Sequence, residues 1–229
     1  MTLHLGRWQN TLDGVTCDAL ITDPPYGNRT HVGHNDAAEQ TRAITGQATR
    51  TNLAYPHWTA DDVSAFVASW APRCRGWFCA LTSHDLAPAY EAALGAFGRF
   101  TFAPLPIIQK RPRLVGDGPA SWTVYLVVSR PRGAPFSTWG CLPGAYFSHT
   151  EKDGVVAGAK PLSLMRSIVR DYSKPGDLVC DPCAGGATTL LAALTEGRRA
   201  IGSEIDPITH AAAIQRLDRG YTPLLPGLI

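Results

Sequence analysis

Apolar and polar positions divide the chain into short strands and amphipathic helices. Thr2 to Leu5 alternates as a short strand. Asp18-Ala19-Leu20-Ile21-Thr22 is a second strand, and it runs into Asp23-Pro24-Pro25-Tyr26-Gly27. Two prolines break a hydrogen-bond ladder, so Asp23 falls at the strand's C-terminal end. Thr59 caps a helix with Asp62 three residues on, and Val63, Phe66, Val67 and Trp70 form its apolar face. Trp77 to Leu81 is a buried strand, and Leu86 to Phe97 a helix stopped by Gly98. Phe100 to Gln109 and Thr123 to Ser129 are strands, with the basic cluster Lys110-Arg111-Pro112-Arg113 between them.

The last third has the clearest period. Leu164, Met165, Ile168, Val169 and Tyr172 share one face of a helix over 162–172. The strand 177–180 meets the turn Asp181 to Thr189, which opens a helix to about Glu196. A strand from Arg199 ends at Glu204, and a helix follows over 207–217. Strands alternating with helices predict a doubly wound, mostly parallel α/β sheet of the Rossmann-like kind. Ligands of such sheets bind beyond the carboxyl ends of the strands, where Asp23, Asp181 and Glu204 all fall.

Two stretches lack a period. Residues 28–57 are polar, and a segment this long without pattern inside a domain is usually a lid or binding loop. Residues 130–158 are rich in Pro, Gly and aromatics, and read equally as a short target-reading insertion or as a long connection.

Composition narrows the class. With 229 residues, 45% apolar and 17% charged, the chain fits a single domain over 1–229 with a real core. No apolar run approaches a membrane span, and Met1 to Arg7 carries no signal-peptide pattern. Six irregularly spaced cysteines predict free thiols in a reducing cytoplasm, and their spacing with the histidines assigns no metal. A net charge of +2 permits nucleic-acid binding without arguing for it.

The chemistry sits in two constellations. A strand, Asp181, a Gly185-Gly186 turn and a helix start let backbone approach a ligand closely. Glu204 ends the next strand, about 20 residues on, where an acid accepts two ribose hydroxyls. That describes a nucleoside-containing cofactor; a phosphate loop would need a Gly-Lys-Ser/Thr that does not follow. The second is Asp23-Pro24-Pro25-Tyr26. An exocyclic base amine is a poor nucleophile because its lone pair is delocalised into the ring. A carboxylate and a proline carbonyl accepting its hydrogens turn that pair outward, while Tyr26 offers a face for an extruded base.

These residues resemble the amino-methyltransferases of DNA. The likeness lies in Asp23-Pro24-Pro25-Tyr26, Lys160-Pro161-Leu162, Ser173-Lys174-Pro175-Gly176-Asp177, Asp181-Pro182 with Gly185, Gly197-Arg198 and Ile201-Gly202-x-Glu204. With the catalytic motif ahead of the cofactor motif, the order is similar to the circularly permuted class called beta. The permutation implies that the first strand lies beside the last one and that the two termini are close.

The resemblance implies that Asp23, Pro24, Pro25 and Tyr26 hold and stack the target base. It implies that Lys160, Asp181, Pro182, Cys183, Gly185, Gly186, Thr188 and Glu204 bind S-adenosylmethionine. The expected partner is double-stranded DNA, with Arg29, Arg42, Arg50, Lys110, Arg111 and Arg113 as candidate phosphate contacts. Homodimers and restriction-modification systems are familiar among such proteins. Asp in the first motif position leans toward adenine N6, whereas cytosine-N4 enzymes more often carry Ser. The chain departs from the family pattern at Cys183 (usually Phe), at Gly185-Gly186-Ala187 (usually Gly-Ser-Gly) and at Gly6-Arg7 (often Gly-Asp).

Other classes remain open on the residues alone. They are a thioredoxin-like site at Cys180-x-x-Cys183, a methyltransferase-like nucleic-acid binder with weak catalysis, and methylation of RNA or of protein glutamine.

Overall fold

The computed structural model describes residues 1–28, 57–113, 121–133, 139–149 and 158–220, with side chains at 110–113, 121 and 122 excepted. In chain order the elements are β1 (Thr2–Leu5), α1 (Trp8–Thr11), β2 (Ala19–Thr22), α2 (Ala60–Trp70), β3 (Phe78–Thr82), α3 (Ala87–Ala96), β4 (Arg99–Thr101), β5 (Leu105–Arg113), β6 (Ser121–Pro131), β7 (Tyr146–Ser148), α4 (Leu162–Tyr172), β8 (Leu178–Asp181), α5 (Thr188–Thr195), β9 (Arg199–Glu204) and α6 (Pro207–Gly220).

The strands form one mixed sheet in the order β1-β9-β8-β2-β3-β6-β5-β7, with β4 paired to β6. The run β1-β9-β8-β2-β3 is parallel, and β6 enters it antiparallel to β3. The sheet is buried on both faces, and alternation sorts its side chains. Ala19, Ile21, Cys79, Leu81, Leu126 and Val179 face a core built with α4, α5 and α6. Leu20, Phe78, Ala80, Val127 and Cys180 face the other core, with α2 and α3. This two-sided cover is the doubly wound arrangement.

Local chemistry explains where the helices start. Thr59 Oγ1 accepts from the Asp62 amide, and Asp62 Oδ2 accepts from the Thr59 amide at 2.8 Å, a reciprocal capping box. Asp206 Oδ2 accepts from the Thr209 amide at 2.7 Å, ahead of Pro207 at the first position of α6.

The first strand lies beside the last: β1 pairs with β9 from Thr2↔Ile201 to Leu5↔Glu204. The run β8, α5, β9, α6 is thus continued in space by β1.

Two sequence expectations need correction. The strand over 100–109 is two strands, β4 and β5, parted around Pro104, and each pairs separately with β6. Lys110-Arg111-Pro112-Arg113 lies within β5 rather than between strands; a register shift between Ile108 and Arg113 accommodates the proline. Within residues 130–158, read as an insertion or a long connection, β7 pairs in parallel with β5 at the sheet's edge. Residues 134–138 and 150–157 of that stretch lie outside the described residues.

Candidate active site

β8 and β2 are neighbours, joined through Ala19↔Val179 and Leu20↔Cys180. From β8 the chain crosses through α5 to β9 on one side; from β2 it goes on to β3 on the other. The connections diverge there, so the crevice beyond these two strands is the switch point where ligands of such sheets bind.

Two acids meet at that crevice. Asp181 ends β8 and is 1% exposed. Its Oδ1 accepts from Thr22 Oγ1 of β2 at 2.6 Å and from the Cys183 amide at 3.1 Å. Burial pushes its carboxyl up to about 6, against the pull of these bonds, and the nearby Asp23 adds to the rise. A folded-state value above the unfolded 3.8 means that the native state holds the extra proton between about pH 4 and 6. Stability contributed by this group is therefore full below about pH 4 and is lost as pH rises to 6, by an amount of order 2 kcal/mol. Asp181→Asn keeps an acceptor for Thr22 and Cys183 and removes the buried charge. Urea denaturation at pH 7.5 should show it more stable than the native chain by about 1–2 kcal/mol, with the difference shrinking toward pH 4. An equal or lower stability at pH 7.5 would contradict this placement of the charge.

Asp23 follows β2 directly. Its Oδ1 accepts from Tyr26 Oη at 2.9 Å, and its Oδ2 accepts from Lys160 Nζ at 2.6 Å. The Lys160 ammonium also stands 5.0 Å from the centre of the Tyr26 ring. Lys160, expected on cofactor grounds, thus lies against the proposed base-binding motif, 137 residues away in sequence. A carboxylate has about four lone-pair directions, so these two bonds leave capacity for a further donor. Pro24 is buried and Pro25 partly so.

The motif is pinned from behind. Ser83 Oγ, just past β3, accepts from the Gly27 amide at 3.1 Å. A Cβ on Gly27 would lie 2.2 Å from Asp85 Oδ2. The Trp58 amide donates to the Tyr26 carbonyl at 3.0 Å, so the 28–57 stretch leaves and re-enters the described chain beside the motif. Its interior, with Arg29, Arg42 and Arg50, lies outside the described residues.

The turn after β8 is tight. Gly185 has φ 50° and Ala187 φ 58°; among the described residues Ala187 is the one non-glycine with positive φ. A left-handed alanine costs about 1–2 kcal/mol, which the departure from Gly-Ser-Gly incurs. Gly202 of β9 is required by close approach: a Cβ there would stand 2.8 Å from the Asp181 carbonyl oxygen and 2.9 Å from Leu190 Cδ1. Pro182 and Cys183 follow Asp181 in this turn, and Thr188 opens α5. Both Cys180 and Cys183 are free thiols, and Cys180 is buried inside β8.

Glu204 ends β9, where its Oε1 accepts from the Asp206 amide at 2.8 Å. Beside it Ile205 and Ile208 are 55% and 82% exposed, an apolar ledge that sequence reading passed over because single exposed isoleucines carry no signal. Arg216 was also missed: it reaches the Gly186 carbonyl from α6.

Lys110 and Arg111 lie in β5, and Arg113 is placed by backbone register. β3 ends at Thr82 opposite Tyr125, while Arg113 pairs with Ser121, four residues further out. The paired strands β5 and β6 therefore overhang the carboxyl end of β3 by roughly 13 Å. Among the described residues no group of His, Cys, Asp and Glu can hold a metal ion, and no helix is long and apolar enough to cross a membrane.

The fold is that of the S-adenosylmethionine-dependent DNA methyltransferases. Residues 129–215 match the family described as DNA methylase. Over 59 residues the chain is 42% identical to the DNA adenine methyltransferase YhdJ of Escherichia coli, covering 26% of this chain and 20% of that protein. The chain spans about a fifth to a quarter of the length of the curated relatives it matches first. Among solved structures, the M1.HpyAVI–SAM complex superposes with a TM-score of 0.68 at 17% identity, covering 95% of this chain and 98% of that one. The cytosine-N4-specific PvuII DNA methyltransferase gives 0.64 at 14% identity, with 94% and 85% covered.

Proposed function

We propose that this chain is a DNA methyltransferase that transfers a methyl group from S-adenosylmethionine to the N6 amine of an adenine flipped out of duplex DNA. The observation that supports the reading is the contact of β2 with β8, which brings the Asp23-Pro24-Pro25-Tyr26 segment and the turn after Asp181 to one crevice.

The residues present fit S-adenosylmethionine. Glu204 offers a carboxylate to ribose hydroxyls, Ile205 an apolar surface to a purine, and the Gly185-Gly186 turn a backbone that a ligand approaches closely. The side-chain-free Gly202 keeps that turn seated. When bound, the cofactor supplies a sulfonium methyl as electrophile.

The chain's own residues prepare the amine. Asp23 and the Pro24 carbonyl accept its two hydrogens, which turns the nitrogen lone pair out of the ring. Tyr26 supports the extruded base, and Lys160 balances the Asp23 charge and holds its carboxylate in place. The proton shed by the nitrogen passes to Asp23 Oδ or to water. Lys110, Arg111 and Arg113 on the overhanging part of β5 supply phosphate contacts, joined by Arg29, Arg42 and Arg50 from the 28–57 stretch. Asp at the first motif position and the name of the Escherichia coli relative support adenine.

Incubation with methyl-labelled S-adenosylmethionine and duplex DNA, RNA or a glutamine-bearing peptide tests this reading. Label on duplex DNA, recovered as N6-methyladenine, is expected. Label recovered as N4-methylcytosine would reassign the base. Label confined to RNA or peptide, or no transfer at all, would reject the proposal.

A further inference from the structure

Arg216 lies on α6, outside every motif of the chain, and is 8% exposed. Its Nη1 donates to the Gly186 carbonyl at 2.9 Å and to Thr188 Oγ1 at 2.6 Å. These two residues flank Ala187 at φ 58°, with Gly185 at φ 50° just before. The Ala187 amide donates to the Ala184 carbonyl at 2.8 Å, so the Gly186–Ala187 peptide is held at both ends.

The consequence is conformational. Gly185 and Gly186 leave the turn free to rotate its peptides, and a left-handed alanine is a poor lock by itself. A guanidinium that holds the Gly186 carbonyl toward α6 selects one path for the turn. A carbonyl swung outward would instead present negative charge to a ligand's carboxylate. An apolar side chain would join α6 to the core without the cost of taking a cation out of water, so a tether alone does not call for arginine.

We propose that Arg216 is a positioning residue for the cofactor turn: it fixes residues 185–188 in the path that receives S-adenosylmethionine and sets cofactor affinity without touching the cofactor. The proposal rests on the reading of that turn as the cofactor site. It places the cost of losing Arg216 in the binding of the cofactor rather than in chemistry at Asp23.

Calorimetric titration of S-adenosylmethionine into the full chain tests it, alongside KM and kcat for methyl transfer and thermal melts. Arg216→Met should raise Kd and the cofactor KM about tenfold or more, the worth of one charge-assisted hydrogen bond, while kcat at saturating cofactor stays within about threefold. Arg216→Lys should fall between, since one ammonium restores part of the grip. If Arg216→Met does not fold, the Lys variant decides, and a native-like Kd in it overturns the proposal. A fall in kcat with unchanged KM overturns it as well. A native chain that binds no S-adenosylmethionine would reject the cofactor reading itself, an outcome distinct from equal binding by native and variant chains.

Discussion

Asp23→Ala should lower methyl transfer by roughly a thousandfold, the scale on which removing a preorganised polar partner of the reacting group acts. Cofactor binding should stay within a few-fold of native. The reason is the division of labour at the crevice. Asp23 sits on β2, whereas the turn assigned to the cofactor follows β8 and is held by Ala184 to Ser203, Gly186 to Arg216 and Asp181 to Thr22. None of these bonds involves Asp23. The variant removes the partner of Tyr26 Oη and of Lys160 Nζ together, so the motif loses its order as well as its acceptor. Asp23→Asn retains one acceptor oxygen but loses the ion pair with Lys160, and should retain activity between the native and alanine forms. Single-turnover assays with labelled cofactor, paired with calorimetry, read both effects. Methyl transfer at the native rate in Asp23→Ala would show that the motif is not the acceptor site.

Gly202→Ala carries the second large effect, on fold and cofactor together. The added methyl would meet the Asp181 carbonyl oxygen at 2.8 Å, Leu190 Cδ1 at 2.9 Å and Ala184 Cβ at 3.2 Å. Leu190 can turn aside, but the carbonyl belongs to the β8 backbone at the register pair Asp181↔Gly202 and cannot. β9 must part from β8, or the turn after Asp181 must lift. A loss of about 2–3 kcal/mol in stability is expected, the range of overpacked cores, with at least a tenfold rise in cofactor Kd. Gly95→Ala in α3 is the matched control: nothing lies within 4 Å of its Cβ position, so it should be neutral or stabilising by up to about 1 kcal/mol. Equal melting temperatures for the two variants would contradict the close approach at Gly202.

The sequence made local features legible wherever one element carries its own signal. Thr59 and Asp62 announce their capping box within four residues, and Val63, Phe66, Val67 and Trp70 are all buried as their spacing predicts. The prolines after Thr22 place Asp23 at a strand end. The two-sided burial of β2, β3 and β8 follows from their unbroken apolar runs.

What sequence could not supply is pairing between distant elements. The contact of β2 with β8 joins residues about 160 positions apart, and the Lys160–Asp23 pair depends on it. Arg216 reads in sequence as an ordinary solvated charge on a helix, because its role exists only once α6 lies across the turn. The cluster 110–113 reads as a connection between strands because it is basic and holds Pro112, and a register shift in β5 reconciles that proline with pairing. β7 is three residues long, too short for a periodic signal.

A crystal of the full chain with a duplex and a non-reactive analogue of S-adenosylmethionine measures the arrangement itself. The expected structure has one adenine outside the helix, its N6 within about 3.2 Å of an Asp23 carboxylate oxygen and of the Pro24 carbonyl, and the analogue lying along the 181–188 turn with its ribose at Glu204. An analogue seated elsewhere, or a crevice too narrow to admit a purine between Asp23 and the donor's reactive group, would contradict it.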